Sequence, residues 1–213
     1  MFHRDEMKKA RTGFKFGMGM RNDDAVEMQQ MATGEFILEM RDARTGKLLH
    51  EFRRKNIITY DAGIQAARYF KDKAEPNFSA NMLAVGTGAT GALLSPDAPD
   101  PKQRKLNAEI ARKAFTETVF RDSLGNAVAY PTNIVDFTCV FGEAEAVGPL
   151  NEMGILSTIS ANPSLLNPNP NTFPTRDVTV DLSLYDVQIN YLTFAVVSKP
   201  STAILTITWR LSF

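Results

Sequence analysis

The amino-acid sequence predicts a mainly β protein, namely an antiparallel β-sandwich with one or two short helices and an extended N-terminal arm. In several segments apolar and polar residues alternate with a period of two, so each predicted strand has one face to bury. Clusters of turn-forming residues separate these segments. Strands that each bury one face are covered most simply by packing two sheets face to face. With 213 residues, 44% of them hydrophobic, the chain can build one core of ordinary size.

Residues 1–34 differ in composition from the rest and are predicted to form the arm. Six of the nine methionines lie in the first 31 positions, and the first 21 residues carry a net charge of about +4. Four apolar side chains recur at every second position, as in an extended segment with one apolar edge: Phe14, Phe16, Met18 and Met20. These four residues are the predicted assembly interface, because so short an apolar edge is ordered most simply by adding a strand to a neighbouring subunit. A disordered tail is the alternative.

The body, residues 35–213, is predicted to open with a β-hairpin. Apolar segments at 36–40 and 48–52 flank a connection at 42–46. Gly46 can adopt the positive φ that such a connection requires.

A short helix is predicted after the hairpin, and a second one at 102–113. In the first, Asp61 is expected to cap the N-terminus, with Ile64, Ala67 and Phe70 on one face. The second contains a basic stretch that Asp100 and Glu109 interrupt, so we interpret it as a solvated helix face. Its basic residues are Arg104, Lys105, Arg112 and Lys113.

Further strands are predicted at 114–121 and 127–141, around a turn at 123–126. One face of the second strand carries Val135, Phe137, Cys139 and Phe141. Cys139 is therefore expected to be a core residue and not a nucleophile. Residues 178–184 alternate in the same way.

The C-terminal segment shows the clearest alternation. One side carries Leu205, Ile207, Trp209, Leu211 and Phe213. We therefore predict that Trp209 and Phe213 are buried in the core.

Two segments are predicted to be irregular. Residues 94–101 contain three prolines, which helices and central strands do not tolerate. Residues 161–175 contain four prolines and four asparagines, which predicts a long loop.

The spacing of the glycines at 86–91 matches the G-x-G-x-x-G pattern of dinucleotide-binding loops. That pattern needs a helix starting at its last glycines, so that the helix N-terminus faces the pyrophosphate. Here Pro96 follows within five residues of Gly91, and no helical period begins. We interpret the glycines as a tight turn at the end of a strand.

Side chains that could support catalysis are few. Glu143, Glu145 and Glu152 could in principle act on a glycosidic bond, but no aromatic platform accompanies them, so a solvated loop is favoured. The two histidines, His3 and His50, have no partner suited to metal binding nearby. We expect no catalytic residue, no metal site, no cofactor and no enzymatic activity.

The charge balance limits the partners. Twenty-four Lys/Arg match twenty-four Asp/Glu, so a global electrostatic affinity for nucleic acid or an anionic membrane is not expected. No apolar run approaches the roughly 18 residues of a membrane-spanning helix. The expected partners are copies of this chain and other proteins.

Five short strings, in this order, resemble a family of small β-rich structural proteins of tailed-bacteriophage virions. They are Lys55-Asn56-Ile57-Ile58-Thr59 followed by Gly63; Leu83-Ala84-Val85-Gly86-Thr87-Gly88; Glu109-Ile110-Ala111-Arg112-Lys113; Asn151-Glu152-Met153-Gly154-Ile155-Leu156; and Leu205-Thr206-Ile207-Thr208-Trp209. The resemblance covers roughly residues 50–213. It implies a virion component without catalytic residues, made in the host bacterial cytoplasm and assembled as a homo-oligomer with other virion proteins. Residues 1–34 and 161–175 depart from the family pattern.

Three functions remain open within this interpretation. A tail-associated subunit of the tail, baseplate, neck or fibre base is the first choice. A capsid decoration or cement protein is the second, with the arm clamping adjacent capsomers. The third is a carbohydrate-binding or receptor-binding module, which would need exposed aromatic residues such as Tyr130, Tyr185 and Tyr191.

Overall fold

The computed structural model describes residues 33–71, 79–158 and 187–213. Within these ranges the chain forms thirteen strands and one helix, which confirms the predicted mainly β antiparallel fold. In chain order the elements are β1 (Thr33–Asp42), β2 (Leu48–Ile58), α1 (Tyr60–Lys71), β3 (Met82–Gly86), β4 (Gly91–Ala92), β5 (Ser95–Pro96), β6 (Glu109–Ala114), β7 (Glu117–Arg121), β8 (Ala127–Val128), β9 (Ile134–Phe141), β10 (Gly148–Ser157), β11 (Val187–Gln188), β12 (Asn190–Lys199) and β13 (Ala203–Ser212).

The strands form two halves that meet at a narrow seam. One half has the order β2-β1-β13-β9-β7-β8, and the other has the order β12-β10-β3-β6, with β11 paired to β10. At the seam β2 pairs with β12 through only two residue pairs, Ile58 with Asn190 and Ile57 with Tyr191. The apolar faces of both halves contribute to one core, as in a β-sandwich.

Aromatic residues from both halves fill the centre of this core. Trp209 on β13 is fully buried, as predicted, and its ring centroid lies 5.6 Å from that of Phe36 on β1. Phe36 in turn lies 6.4 Å from Phe194 on β12. The prediction for Phe213 is wrong, because β13 ends at Ser212 and the Phe213 side chain is 66% exposed. The backbone N–H of Phe213 donates to the Asn133 carbonyl, and its carbonyl accepts from the Asn133 side-chain amide.

The predicted hairpin is confirmed as β1 and β2. Its connection has Gly46 at a φ of +70°. Asp42 Oδ1 accepts hydrogen bonds from the Thr45 N–H at 2.7 Å and the Thr45 hydroxyl at 2.6 Å. These bonds hold the pKa of Asp42 below its ordinary value and fix the turn.

Helix α1 forms where it is predicted, but the predicted cap and face are wrong. Thr59 precedes the helix and its carbonyl accepts the Ala62 N–H. Asp61 lies inside the first turn and is buried, as is Gln65 one turn later, whereas Phe70 is 86% exposed. The helix therefore buries a polar face, which the apolar period could not indicate.

The second predicted helix, at 102–113, is also wrong, because this region ends in strand β6. Between the pairs Val85–Ala111 and Gly86–Glu109 the register shifts, so Ile110 is the extra residue of a bulge. A bulge changes the phase of a strand by one residue. Glu109 and Arg112 consequently lie close together and form an ion pair. Their separation of three residues is one that usually brings side chains together in a helix, not in a strand.

The remaining expectations have mixed outcomes. Strand β7 lies within the predicted segment 114–121. The predicted strand 127–141 is divided into β8 and β9, with residues 129–133 outside both, and Cys139 is fully buried as predicted. Residues 94–101 contribute only β5, which pairs with β4 in a two-residue hairpin. The proposed arm residues 1–32, including Phe14, Phe16, Met18 and Met20, lie outside the described residues, as do 161–175 and 178–184. Among the helices of the described ranges, none has the length and apolarity to cross a membrane.

Candidate functional site

Several buried polar groups join loops to strands, and among those of the described residues Glu152 on β10 accepts four hydrogen bonds. This residue was expected in a solvated loop, yet it is fully buried. Its Oε1 accepts the N–H groups of Gly88 at 2.9 Å and Ala108 at 2.7 Å. Its Oε2 accepts the Asn107 N–H at 3.0 Å and the Tyr191 hydroxyl at 2.7 Å. One carboxylate thus holds together two loops and two strands.

The glycines after β3 serve this carboxylate node, which we define as Glu152 with its four donors. A Cβ added to Gly86 would lie 2.5 Å from the Ala108 carbonyl oxygen and 2.6 Å from Glu152 Oε1. A Cβ on Gly88 would lie 2.4 Å from the Ala108 nitrogen. The glycine turn predicted at the end of β3 is confirmed. Because glycine has no Cβ, the backbone at Gly86 and Gly88 can approach Glu152 closely.

Tyr191 donates to the node from β12. Burial raises the pKa of its hydroxyl strongly, and the neighbouring Glu152 raises it further. Tyr191 is therefore a neutral hydrogen-bond donor fixed in the framework. It is 3% exposed, so it cannot be the exposed aromatic residue that a carbohydrate-binding module would need.

The basic stretch expected to be solvated is partly buried by ion pairs. Arg104 binds Asp61 through Nε at 2.8 Å and Nη2 at 3.2 Å, which ties α1 to the segment after β5. Arg112 is 2% exposed and binds Glu109, with Nη2 at 2.7 Å from Oε2. The sequence interpretation was wrong because Asp61, the partner of Arg104, lies 43 residues away.

The other two candidate carboxylates lie in the loop between β9 and β10. Glu143 is exposed, as expected. Glu145 binds Lys113 Nζ at 2.6 Å and the Gly142 N–H at 2.8 Å. Burial alone would raise the pKa of Glu145, but these bonds outweigh that effect and lower it. The two residues are therefore structural or solvated, and within the described residues no group of three or more His, Cys, Asp or Glu is placed to hold a metal ion.

Strand β2 presents a different kind of feature, an open edge. It pairs with β1 along its length, but with β12 only at Ile57 and Ile58. In the described part of the chain the other edge of residues 48–56 has no strand partner. By contrast, β12 beyond the seam is covered by the β4–β5 hairpin, because the Leu93 carbonyl accepts the Val196 N–H at 2.9 Å and the Asp97 carbonyl accepts the Thr193 hydroxyl at 2.7 Å.

The side chains of this open edge are exposed on both faces of the sheet. The register with β1 places His50, Phe52 and Arg54 on the core side, opposite Met40, Leu38 and Phe36 respectively. On this side only Phe52 is half-buried, with its ring 5.1 Å from Phe36 and 5.4 Å from Phe194. The core aromatic cluster therefore reaches the edge of the sheet and is incompletely covered there.

The open edge has two chemically different parts. Leu48 and Leu49 at its start are 39% and 45% exposed. Arg53, Arg54 and Lys55 at its other end are also exposed. The sequence contains a signal of this exposure. Two adjacent leucines and three adjacent cations interrupt the alternation that a half-buried strand shows, and such an interruption indicates a strand that is solvated on both faces.

Three of the five strings quoted above lie in adjacent strands. They contribute to β6, β3 and β10, and their residues Gly88 and Glu152 belong to the carboxylate node. Comparisons with known proteins add no family. No protein-family model matches the chain. No curated protein sequence matches it significantly.

Proposed function

We propose that this chain is a non-enzymatic structural subunit of a tailed-phage virion, associated with the tail, baseplate, neck or fibre base, and that it assembles through its N-terminal arm. The open edge of β2 carries the proposal. In the described part of the chain residues 48–56 of β2 have no strand partner on one side, and such an edge is a template for pairing with another chain. The exposed cations at 53–55 protect one part of this edge against unselective pairing, whereas the part that begins with the exposed Leu48 and Leu49 has no such protection.

The carboxylate node supports the same proposal from another direction. Two of the family-like strings meet in the node, because Glu152 of one string accepts the N–H of Gly88 in the other. Such buried hydrogen bonds suit a structural subunit, because they keep its framework rigid while its surface contacts neighbouring subunits. The arm of about 32 residues before β1 supplies a segment that can reach those neighbours.

The test is to find the chain in particles. Virions or virion-like particles should be purified by density gradient from the cells that make the protein, and their proteins quantified by mass spectrometry. We expect a fixed copy number per particle, in multiples of three or six and on the order of tens, as the symmetry of tail structures requires. A copy number in the hundreds would favour the decoration protein, and absence of the chain from washed particles would refute the proposal.

The arm is tested in the same preparation. Deletion of residues 2–30 should leave a folded body that no longer enters particles, because the segment predicted to dock has been removed. The control is a variant with three alanines at Phe213, Leu124 and Lys102, which are exposed and lie in the body. Normal occupancy of particles by the arm-deleted chain would contradict an assembly role for the arm.

A further inference from the structure

The open stretch of β2 has its midpoint at Phe52. In the described part of the chain residues 48–56 face no strand on one side, and Phe52 is the middle residue of this stretch. A two-fold axis through Phe52 would pair every open residue with another open residue of a second copy. None of them would then face the segment 57–58, which β12 already occupies. The open stretch therefore has the symmetry that antiparallel pairing with itself requires.

The main-chain groups of the edge point in the direction that such pairing needs. On the side of β12, the Thr59 N–H donates to the Ile189 carbonyl at 3.0 Å. Main-chain groups of successive residues in a strand point to opposite sides. The pairing of β2 is regular over residues 50–56 with β1 and at 57–58 with β12. The odd-numbered residues from 51 to 55 therefore direct their N–H and C=O groups to the open side, as Thr59 does.

An axis at Phe52 brings opposite charges together. Because only odd-numbered residues can bond across the edge, odd residues must pair with odd residues, and one residue must lie on the axis. With Phe52 in that position, Glu51 of each copy faces Arg53 of the other. The next pairs outward join His50 to Arg54 and leucine 49 to a lysine, so no two permanent charges of like sign face each other.

The other registers are less favourable. An axis at Glu51 would bring two glutamates together, and an axis at Arg53 or Arg54 would bring two arginines together. An axis at His50 would set Arg53 against Lys47. Like charges directly opposite each other are destabilising. The charge sequence of the edge therefore selects the axis at its midpoint.

The surroundings of Glu51 also favour a cation from the open side. Glu39 of β1 lies directly opposite Glu51, although both are acidic. Each has an arginine two residues along its own strand: Arg41 Nη2 lies 3.5 Å from Glu39 Oε2, and Arg53 Nε lies 3.6 Å from Glu51 Oε1. Arg53 of a second copy would approach Glu51 from its remaining side and complete an alternating group of charges.

The same axis places two Phe52 rings together on the core side. The Phe52 ring is half-buried against Phe36 and Phe194, and the aromatic cluster ends there. A residue on this axis forms a non-hydrogen-bonded pair with its copy, in which the Cα atoms lie only about 4.5 Å apart. The second ring would cover the first, so the aromatic cluster would continue from one copy into the other.

We propose that β2 of one copy pairs antiparallel with β2 of a second copy about a two-fold axis at Phe52, with Glu51 of each copy facing Arg53 of the other. The contact is isologous and joins the sheets of the two copies. This inference deepens the proposed function and rests on it for the use of the edge in assembly, because it names a second copy of the chain as the partner of that edge.

Disulfide formation between two differently tagged full-length chains tests the register. One chain carries His50→Cys and the other carries Arg54→Cys. The proposed axis sets these positions opposite each other, whereas two copies of the same position lie about 13 Å apart at roughly 3.3 Å per residue, beyond the reach of a disulfide. We expect the mixed product and little of either product between like chains. The native Cys139 does not interfere, because it is fully buried and burial raises the pKa of its thiol to about 12.

Exchange of charges gives the matched control. Glu51→Arg and Arg53→Glu each set like charges against each other on both sides of the axis. Each should raise the dissociation constant of the dimer, measured by sedimentation equilibrium, at least about tenfold. A mixture of the two variants restores opposite charges and should form a heterodimer. Glu117→Arg, which reverses an exposed charge on β7, should leave the dissociation constant unchanged. Circular dichroism confirms that each variant is folded.

Three results would overturn the inference. A wild-type chain that stays monomeric at about 100 μM would show that the edge does not pair with a copy of itself. Disulfides between like chains as abundant as the mixed product would place the axis elsewhere. A mixture of the two charge variants that stays monomeric would remove the pairing of Glu51 with Arg53. Any of these, with the wild-type chain present in particles, would reject the dimer and leave the proposed function standing. Absence of the wild-type chain from particles, with the heterodimer formed, would reject the proposed function and leave the dimer.

Discussion

Replacement of Glu152 by glutamine tests whether one carboxylate fastens the framework. The carboxylate accepts four hydrogen bonds, two at each oxygen, and is fully buried. Glutamine keeps one oxygen for Gly88 and Ala108. Its amide group replaces the other oxygen and faces the Asn107 N–H, while the Tyr191 hydroxyl can turn and accept.

The expected loss follows from these contacts. One buried donor left without an acceptor costs about 1–3 kcal/mol, and the bonds that remain lose the strengthening that a charged acceptor gives. Removal of a buried charge offsets part of this, because the desolvation cost of the carboxylate disappears. We expect Glu152→Gln to lower the free energy of unfolding by about 2–4 kcal/mol. Tyr191→Phe removes a single bond and should cost about 1–2 kcal/mol.

Urea unfolding measures these losses, with the fluorescence of Trp209 as the signal. Trp209 is the only tryptophan and is fully buried, so its emission reports loss of the core. Glu143→Gln is the matched control: the same chemical change at an exposed loop position should alter stability by less than about 0.5 kcal/mol. The double variant of Glu152→Gln and Tyr191→Phe should lose less than the sum of the two, since the partners share one contact. If Glu152→Gln is as stable as the control, the node does not fasten the framework and the reasoning fails.

Three further predictions use the same assay or a simpler one. Trp209→Ala should cost about 3–5 kcal/mol, as for a large buried aromatic residue, whereas Phe213→Ala should cost under about 1 kcal/mol; equal losses would contradict the burial described here. For Asp136, burial alone would raise the pKa, but the hydrogen bonds from Arg210 and Arg121 outweigh it and hold the pKa below its ordinary value. The ionised Asp136 therefore contributes its full stabilisation above its unfolded pKa of about 3.9, and this stabilisation is lost as the pH falls through the lower folded pKa. Asp136→Asn should flatten the acid side of a plot of stability against pH. An unchanged acid side would count against the ion pairs. Cys139 should react with a thiol reagent at neutral pH only when the protein unfolds, and rapid labelling of the native chain would show that the core is open.

The sequence predicted the fold best where one strand face decides the outcome. In β13 the alternation runs without a break, and every second residue from Ala203 to Leu211 is buried. Cys139 follows the same rule on β9. The prediction for Phe213 fails because alternation indicates a buried face only as long as the strand continues, and β13 ends at Ser212.

Features that depend on distant partners could not be predicted in this way. Arg104 is buried because Asp61 neutralises it, and Glu152 is buried because backbone N–H groups from two loops converge on it. Neither partnership leaves a local pattern. The available signal was a glutamate followed by the apolar residues Met153, Ile155 and Leu156, since a carboxylate in an apolar setting must find donors or remain an uncompensated buried charge.

The carboxylate node and the edge of β2 are expected to have different roles, stability for the node and assembly for the edge, and substitutions can separate the two. The node lies inside the framework, so its variants should change stability and leave the edge chemistry intact. The edge residues Arg53 and Lys55 are exposed, so their reversal should leave the free energy of unfolding within about 0.5 kcal/mol of wild type. The proposed function places assembly at the edge of β2, where main-chain bonds would supply affinity to any strand and the side chains would select one. A variant set that separates the two effects, with stability lost at Glu152 and occupancy of particles lost at Arg53 and Lys55, would locate the assembly function on a strand edge. Loss of both properties in the edge variants would instead mean that the cations stabilise the subunit itself.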